Sequence, residues 1–308
     1  MINKKILLSI IVLFTFETNA QSEHTLQSGR EIKIENQNAE IKQGNIIPEL
    51  LLKNKDHDHK SYITFSKFNV DKEGLDINNT INARHIITEV ISDNESWING
   101  NINITHNPAN LLIINPNGII IGDKFKITNT IKNYIVTGKM ATEPDDWEDI
   151  TAEQFESSGG NLIIYGADAH DNFNNTTLIS RNIEIRKSKL YSDNLHIDIM
   201  LNTDGRYTHS PKISIDSDSE INAGLLSGNL TGVRLSNAGK ITGNIDLRTT
   251  DSSIDNSGEM TGKSGKITYR GNFHFNGKDN TKYNNRDIFQ AIDDHSFFDT
   301  GLKTVNIE

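Results

Sequence analysis

Short runs of Ile, Leu and Val recur every eight to twelve residues, each closed by Asn, Gly or Asp, and this spacing constrains the fold more than any other feature. Asn101-Ile102-Asn103-Ile104, Leu111-Leu112-Ile113-Ile114, Asn161-Leu162-Ile163-Ile164 and Asn182-Ile183-Glu184-Ile185 are examples. Such runs are too short for ordinary helices and are bounded by turn formers, so the chain reads as all-β. One stretch breaks the rhythm. Glu143 to Phe155 places acidic residues early and apolar residues at near-helical spacing, which predicts a short helix or ordered excursion outside the strand array.

A repeat narrows the architecture. Asn222-Ala223-Gly224-Leu225-Leu226-Ser227-Gly228 is followed by Asn237-Ala238-Gly239-Lys240-Ile241-Thr242-Gly243 and by Asn256-Ser257-Gly258-Glu259-Met260-Thr261-Gly262, at offsets of 15 and 19 residues. A constant turn with variable spacing suits a solenoid whose coils differ in loop length. One coil cannot bury its apolar side alone, but stacked neighbours can. Asn at equivalent turns can form a ladder between coils, and Gly supplies positive φ where the chain bends. At about 20 residues per coil and about 4.8 Å between strands, about a dozen coils and a length of about 60 Å are expected.

Compartment is read from the first residues. Lys4 and Lys5 precede the apolar run Ile6 to Phe14, and Thr18-Asn19-Ala20 offers small residues where a signal peptidase cleaves. This is the pattern of a Sec signal peptide over residues 1–20, with the mature chain starting at Gln21; the run is about half the ~20 residues that span a bilayer. The whole chain carries a formal net charge of −10. Such acidity argues against nucleic acid as a partner and offers no basic patch to anionic lipid. The chain has no cysteine, which excludes thiol catalysis, disulfides and cysteine-based zinc sites.

One block carries a specific resemblance. It runs through Phe68-Asn69-Val70, Gly74-Leu75, Asn78-Asn79, Ala83-Arg84 to Glu89-Val90, Ser96-Trp97-Ile98-Asn99-Gly100, and Ala109-Asn110-Leu111 to Asn115-Pro116-Asn117-Gly118-Ile119. Thr137-Gly138, Gly160-Asn161-Leu162-Ile163-Ile164-Tyr165-Gly166 and Leu178-Ile179-Ser180-Arg181-Asn182-Ile183 continue it. In order and approximate spacing these motifs resemble the amino-terminal secretion domain of filamentous haemagglutinins and related two-partner-secretion exoproteins. The resemblance covers about residues 60 to 200. One motif departs from the pattern: the family's N-P-N-L loop has no counterpart, because Asn79 reaches Ala83 through Thr80-Ile81-Asn82 alone.

The resemblance implies a right-handed parallel β-helix over residues 21–278, followed by a short tail at 279–308. It implies export through the periplasm by a dedicated Omp85-type (TpsB) outer-membrane transporter with POTRA domains. It also implies a secreted or cell-surface product, related to short adhesins and haemagglutinins, with no enzymatic activity and no cofactor or metal. Phe68, Asn69, Val70, Asn78, Asn79 and Asn115 to Ile119 are the residues it assigns to secretion. Read locally, Asn115-Pro116-Asn117-Gly118-Ile119 is a rigid β-turn between two buried strands, which shapes the fold first.

Other functions find less in the residues. A β-helix acting on polysaccharides needs clustered carboxylates, and Asp168, Asp171 and Asp198 are scattered on turns with no Gly-x-Ser-x-Gly or His-Glu-x-x-His motif beside them. Haem capture or cytolysis rests on family analogy alone. Asp56-His57-Asp58-His59 could offer two histidines to Zn or Cu, but reads better as a charged turn.

Overall fold

In the computed structural model of the protein, residues 22–42, 46–201, 210–284 and 288–299 are described. The signal peptide expected at 1–20 lies outside them. The described chain is a right-handed parallel β-helix in which side-chain positions repeat as ladders from coil to coil. On the first wall one inward ladder runs Ile63, Thr88, Ile113, Ile135, Leu178, Ile197, Gly228, Leu247, Ile267, Phe289. Stacking like on like buries each apolar residue against its neighbours above and below, so the core is one continuous column.

Three walls enclose that column. The first begins with Lys60–Lys67, His85–Val90, Ala109–Ile114, Thr130–Val136 and Thr176–Ser180. The second stacks Ser96–Ile98, Ile119–Ile121, Leu162–Tyr165, Asn182–Arg186, Lys212–Ile215 and Arg234–Asn237. The third starts with Glu49–Leu52, Leu75–Asn79, Asn101–His106 and Lys126–Thr128. Each strand run expected from the sequence is present. The first wall has ten rungs among the described residues instead of the dozen expected, because its coils are longer than 20 residues: Ile113 pairs with Ile135, Ile135 with Leu178, and Ile197 with Gly228.

Two further expectations are corrected. Asn237 stacks on Asn256, with its Nδ2 donating to Oδ1 of Asn256 at 2.8 Å, and Lys240 pairs with Glu259. A Cβ on Gly258 would collide with the carbonyl oxygen of Gly239, so this pair of repeats shares one register. Asn222, however, pairs with Thr242. The first copy of the repeat therefore matches in composition but sits at another place in its coil. Secondly, the boundary drawn at 278 falls early: Thr281–Tyr283, Phe289–Ala291 and Phe297–Asp299 all pair in parallel with the coil before them.

The N-terminal end has a different pattern. Glu23–Thr25 pairs antiparallel with Glu31–Ile34, which pairs antiparallel with Lys60–Lys67, and Ala39–Lys42 pairs antiparallel with Glu49–Leu52. These strands close the first coil's free edge, which would otherwise template pairing with another chain.

The excursion is a strap. Gly138–Met140 and Phe155–Ser157 pair antiparallel at its base, and its helical content is one short turn, Ala152–Gln154, of the 3-10 type. It covers the outer face of the first wall, where Ile87, Leu112, Ile114, Tyr134, Val136, Ile179 and Met200 form a second apolar cluster with Ile150, Ala152 and Phe155. Strands buried on both faces read as unbroken apolar runs, which explains Leu111-Leu112-Ile113-Ile114. Beyond the strap the outer ladders turn polar, from Ile179 to Asp198, Asn229 and Arg248.

Two histidines lie on this outer face. His85 is 7% exposed, with its ring 6.3 Å from that of Trp147 in the strap. Burial holds both His85 and His196 below the ordinary imidazole value of 6.5, against the nearby carboxylates Glu148 and Asp146 for His85, and Asp198 and Asp149 for His196. A depressed folded-state value means that the contribution to stability is present above about pH 6.5 and is lost as the pH falls toward the folded-state value. Stability is therefore expected to drop between pH 7.5 and pH 5.5, and to drop less in His85→Gln. Urea midpoints of the two proteins at both pH values check this, and equal drops would contradict it.

Candidate functional site

The residues assigned to secretion occupy two corners of the helix. Asn115 ends a first-wall strand and is fully buried. Its Nδ2 donates to the Asn94 carbonyl at 2.9 Å and to Ser96 Oγ at 2.9 Å, while its Oδ1 accepts from Asn117 N at 2.9 Å. The Asn117 amide donates to the carbonyl of Ser92. Gly118 has φ of +124°, a conformation that side chains disfavour, and its N–H donates to Asn115 O at 3.2 Å. Ile119 is buried between Ser96 below and Leu162 above.

Neighbouring coils fit this corner closely. A Cβ on Gly160 would collide with the carbonyl oxygen of Pro116, and Ser158 Oγ donates to that same oxygen at 2.6 Å. The glycine opening Gly160-Asn161-Leu162-Ile163-Ile164-Tyr165-Gly166 is thus required by the turn beneath it. Four polar side chains with no exposure, Ser96, Asn115, Thr137 and Ser180, lie along the corner. Thr137 Oγ1 and Ser180 Oγ are 2.6 Å apart.

Phe68, Asn69 and Val70 lie one coil lower on the same side. Phe68 packs its ring 4.8 Å from that of Phe65. Asn69 Nδ2 donates to Glu31 O at 2.8 Å and its Oδ1 accepts from Trp97 N at 3.0 Å. Val70 bridges in parallel to Ile98. Asn78 and Asn79 are on the third wall, at the other corner. Asn79 Nδ2 donates to the carbonyls of Ala83 and Asn107, both at 2.9 Å, and its Oδ1 accepts from Ala83 N at 2.8 Å. This one amide closes the turn Thr80-Ile81-Asn82, with Asn82 at φ of +56°, in place of the missing N-P-N-L loop. Asn78 is half-buried and donates to Glu49 Oε1 at 2.6 Å.

Sequence reasoning missed Asp71. It is 6% exposed, and its carboxylate accepts from Ser28 N at 2.8 Å and Ser28 Oγ at 2.7 Å, with Arg30 at 4.0 Å. Arg30 also lies 4.4 Å above the Trp97 ring. Asp71 therefore ties the antiparallel cap to the Phe68-Asn69-Val70 corner. Its partner is 43 residues away, and no local pattern announces such a pair.

The carboxylates weighed for catalysis do not converge. Asp168 pairs with Lys189, Asp171 with His170, and Asp198 accepts from Ala152 N at 2.7 Å beneath the strap. Burial raises Asp198 above the usual carboxylate range. Asp198 borders a cleft of about 410 Å³ with Glu153, Phe155, Leu201 and Asn229. Asp56 closes the Asp56-His57-Asp58-His59 turn by accepting from Asp58 N and Lys60 N.

The corner chemistry sets an expected order of stability losses. Asn115→Ala leaves two buried acceptors and one donor without a partner, each costing about 1–3 kcal/mol when unsatisfied, and should lower stability by about 2–4 kcal/mol. Asn78→Ala, at a half-buried site, should cost less than about 1 kcal/mol. Urea unfolding of the mature protein measures both, and equal losses would show that the Asn115 corner is not the stronger one.

Comparison with known proteins agrees with this architecture. A family model described as the TPS secretion domain matches residues 18–294. The protein "tRNA nuclease CdiA" of Escherichia coli (strain NC101) is 26% identical over 239 residues, which is 65% of this chain and 7% of the relative's length. The crystal structure of the filamentous hemagglutinin secretion domain superposes with a TM-score of 0.59 at 15% identity, covering 88% of this chain and 99% of that one. The HMW1 secretion domain from Haemophilus influenzae gives a TM-score of 0.40 at 16% identity, covering 87% and 97%. A family model that matches nearly the whole chain, on a β-helix of the same fold, makes this protein a member of the TPS secretion domain family, the domain of two-partner-secretion exoproteins.

Proposed function

We propose that the chain is recognised in an extended state by the POTRA domains of an Omp85-type (TpsB) transporter and folds only after crossing the outer membrane. The observation that carries this reading is the burial of Phe68, Asn69, Val70, Asn79, Asn115 and Ile119. A partner that reads these residues must do so before the corners close. An unfolded strand-rich segment also has free backbone groups, so β-augmentation on a POTRA sheet edge suits the contact. Residues 1–20 would first direct the chain to the periplasm through Sec. Once outside, the folded helix acts as a short adhesin- or haemagglutinin-related surface protein, without cofactor or catalytic step.

Export is tested by expressing the chain with and without its cognate transporter and measuring mature protein in the culture fluid. Export should require the transporter; equal amounts in both cultures would overturn the route. Recognition is separated from folding by comparing Asn115→Ala with Ile267→Ala, a core truncation expected to cost about 2–5 kcal/mol. Asn115→Ala should lose export the more severely. Equal losses would mean that the corner serves export through stability alone.

A further inference from the structure

In a solenoid each coil touches only its neighbours, so coils can in principle unzip one at a time. The strap at 141–154 is an exception. It runs along the helix axis and is fastened to six successive rungs of the first wall. Lys60, on the first of them, pairs with Glu143 and sits 4.9 Å above the Trp147 ring. His85 packs on Trp147 from the second rung. Leu112 and Ile114 of the third join the apolar cluster of Ile150, Ala152 and Phe155. On the fourth, Tyr134 Oη and Lys132 Nζ donate to the Glu148 carbonyl at 2.8 and 3.2 Å. Ile179 of the fifth is in the same cluster, and on the sixth Asp198 accepts from Ala152 N at 2.7 Å, with Met200 just beyond.

Charge supports the fit. Residues 141–154 contain Glu143, Asp145, Asp146, Glu148, Asp149 and Glu153 with no Lys or Arg, while Lys60 and Lys132 approach from the wall. The path of the chain supplies an order of events. Ile135 and Leu178 pair directly although 43 residues separate them, so stacking continues without the strap. The strap's last fasteners, Asp198 and Met200, exist only once the sixth rung has formed.

We propose that the strap is a lock: its closure, after residue 200 has emerged and stacked, converts six separately reversible coils into one cooperative unit that cannot be drawn back coil by coil. The role in export rests on the transporter route proposed above, whereas the cooperative unit does not.

Native-state hydrogen exchange on the mature chain tests the lock itself. In the unaltered protein His85–Val90, Ala109–Ile114, Thr130–Val136 and Thr176–Ser180 should share one opening, with protection within about threefold. In Ile150→Ala, Thr176–Ser180 and the strand ending at Ile199 should exchange at least tenfold faster than His85–Val90. Glu143→Gln, at an exposed fastener, should shift the same strands in the same direction by a smaller factor, and serves if Ile150→Ala does not fold. Protection that declines rung by rung in the unaltered protein would overturn the proposal. So would faster exchange confined to residues 138–157 in both variants. In cells with the transporter, export of Ile150→Ala should fall severalfold. Unchanged export of that variant, with the unaltered chain still dependent on the transporter, removes the lock from export and leaves the route standing. Export of the unaltered chain without the transporter removes the route and leaves the cooperative unit standing.

Discussion

In-register parallel stacking is the constraint from which the rest follows. Because each strand's backbone groups pair with the coils before and after, every side-chain position becomes a ladder, and any residue placed inward must be compatible with the residues above and below it. Ile63 to Phe289 satisfies this with aliphatic side chains and one glycine, Gly228. At the corners the same requirement falls on polar groups. There the carbonyls and amides that leave the sheets must find partners, and Asn79 and Asn115 provide them from the side chain.

The two ends of the helix and its flank answer the remaining problem, which is edges. Antiparallel strands cover the first coil, and Asp71 fastens them through Ser28. On the flank, the strap hides an apolar outer face that a single-layered wall would leave in water. Both additions are made from segments that leave the solenoid path, and both are held by contacts between residues far apart in sequence.

This division explains what was legible in the sequence. Strand positions, corner asparagines and the glycine above Pro116 are determined within one coil or by the motif itself, and they are where the spacing places them. The strap's location was legible from its broken periodicity, but its character was not: near-helical spacing of Trp147, Ile150 and Phe155 comes from packing an irregular segment on a flat wall, with only Ala152–Gln154 helical. The cap and the Asp71 tie were invisible because antiparallel strands and 43-residue pairings leave no local period. Asn222 shows the opposite error, in which a matching local pattern occupies a different register because the coil before it is longer.

Ile135 and Leu178 stack as adjacent rungs whatever the length of chain between them. A gene encoding such a fold can therefore gain or lose codons at the end of a rung without disturbing the ladder, so surface novelty and core inheritance evolve as separate variables. The strap marks one such place, and the family's missing loop between Asn79 and Ala83 marks another. Divergence between relatives should then accumulate at corners as insertions and deletions, while the walls change only by substitution.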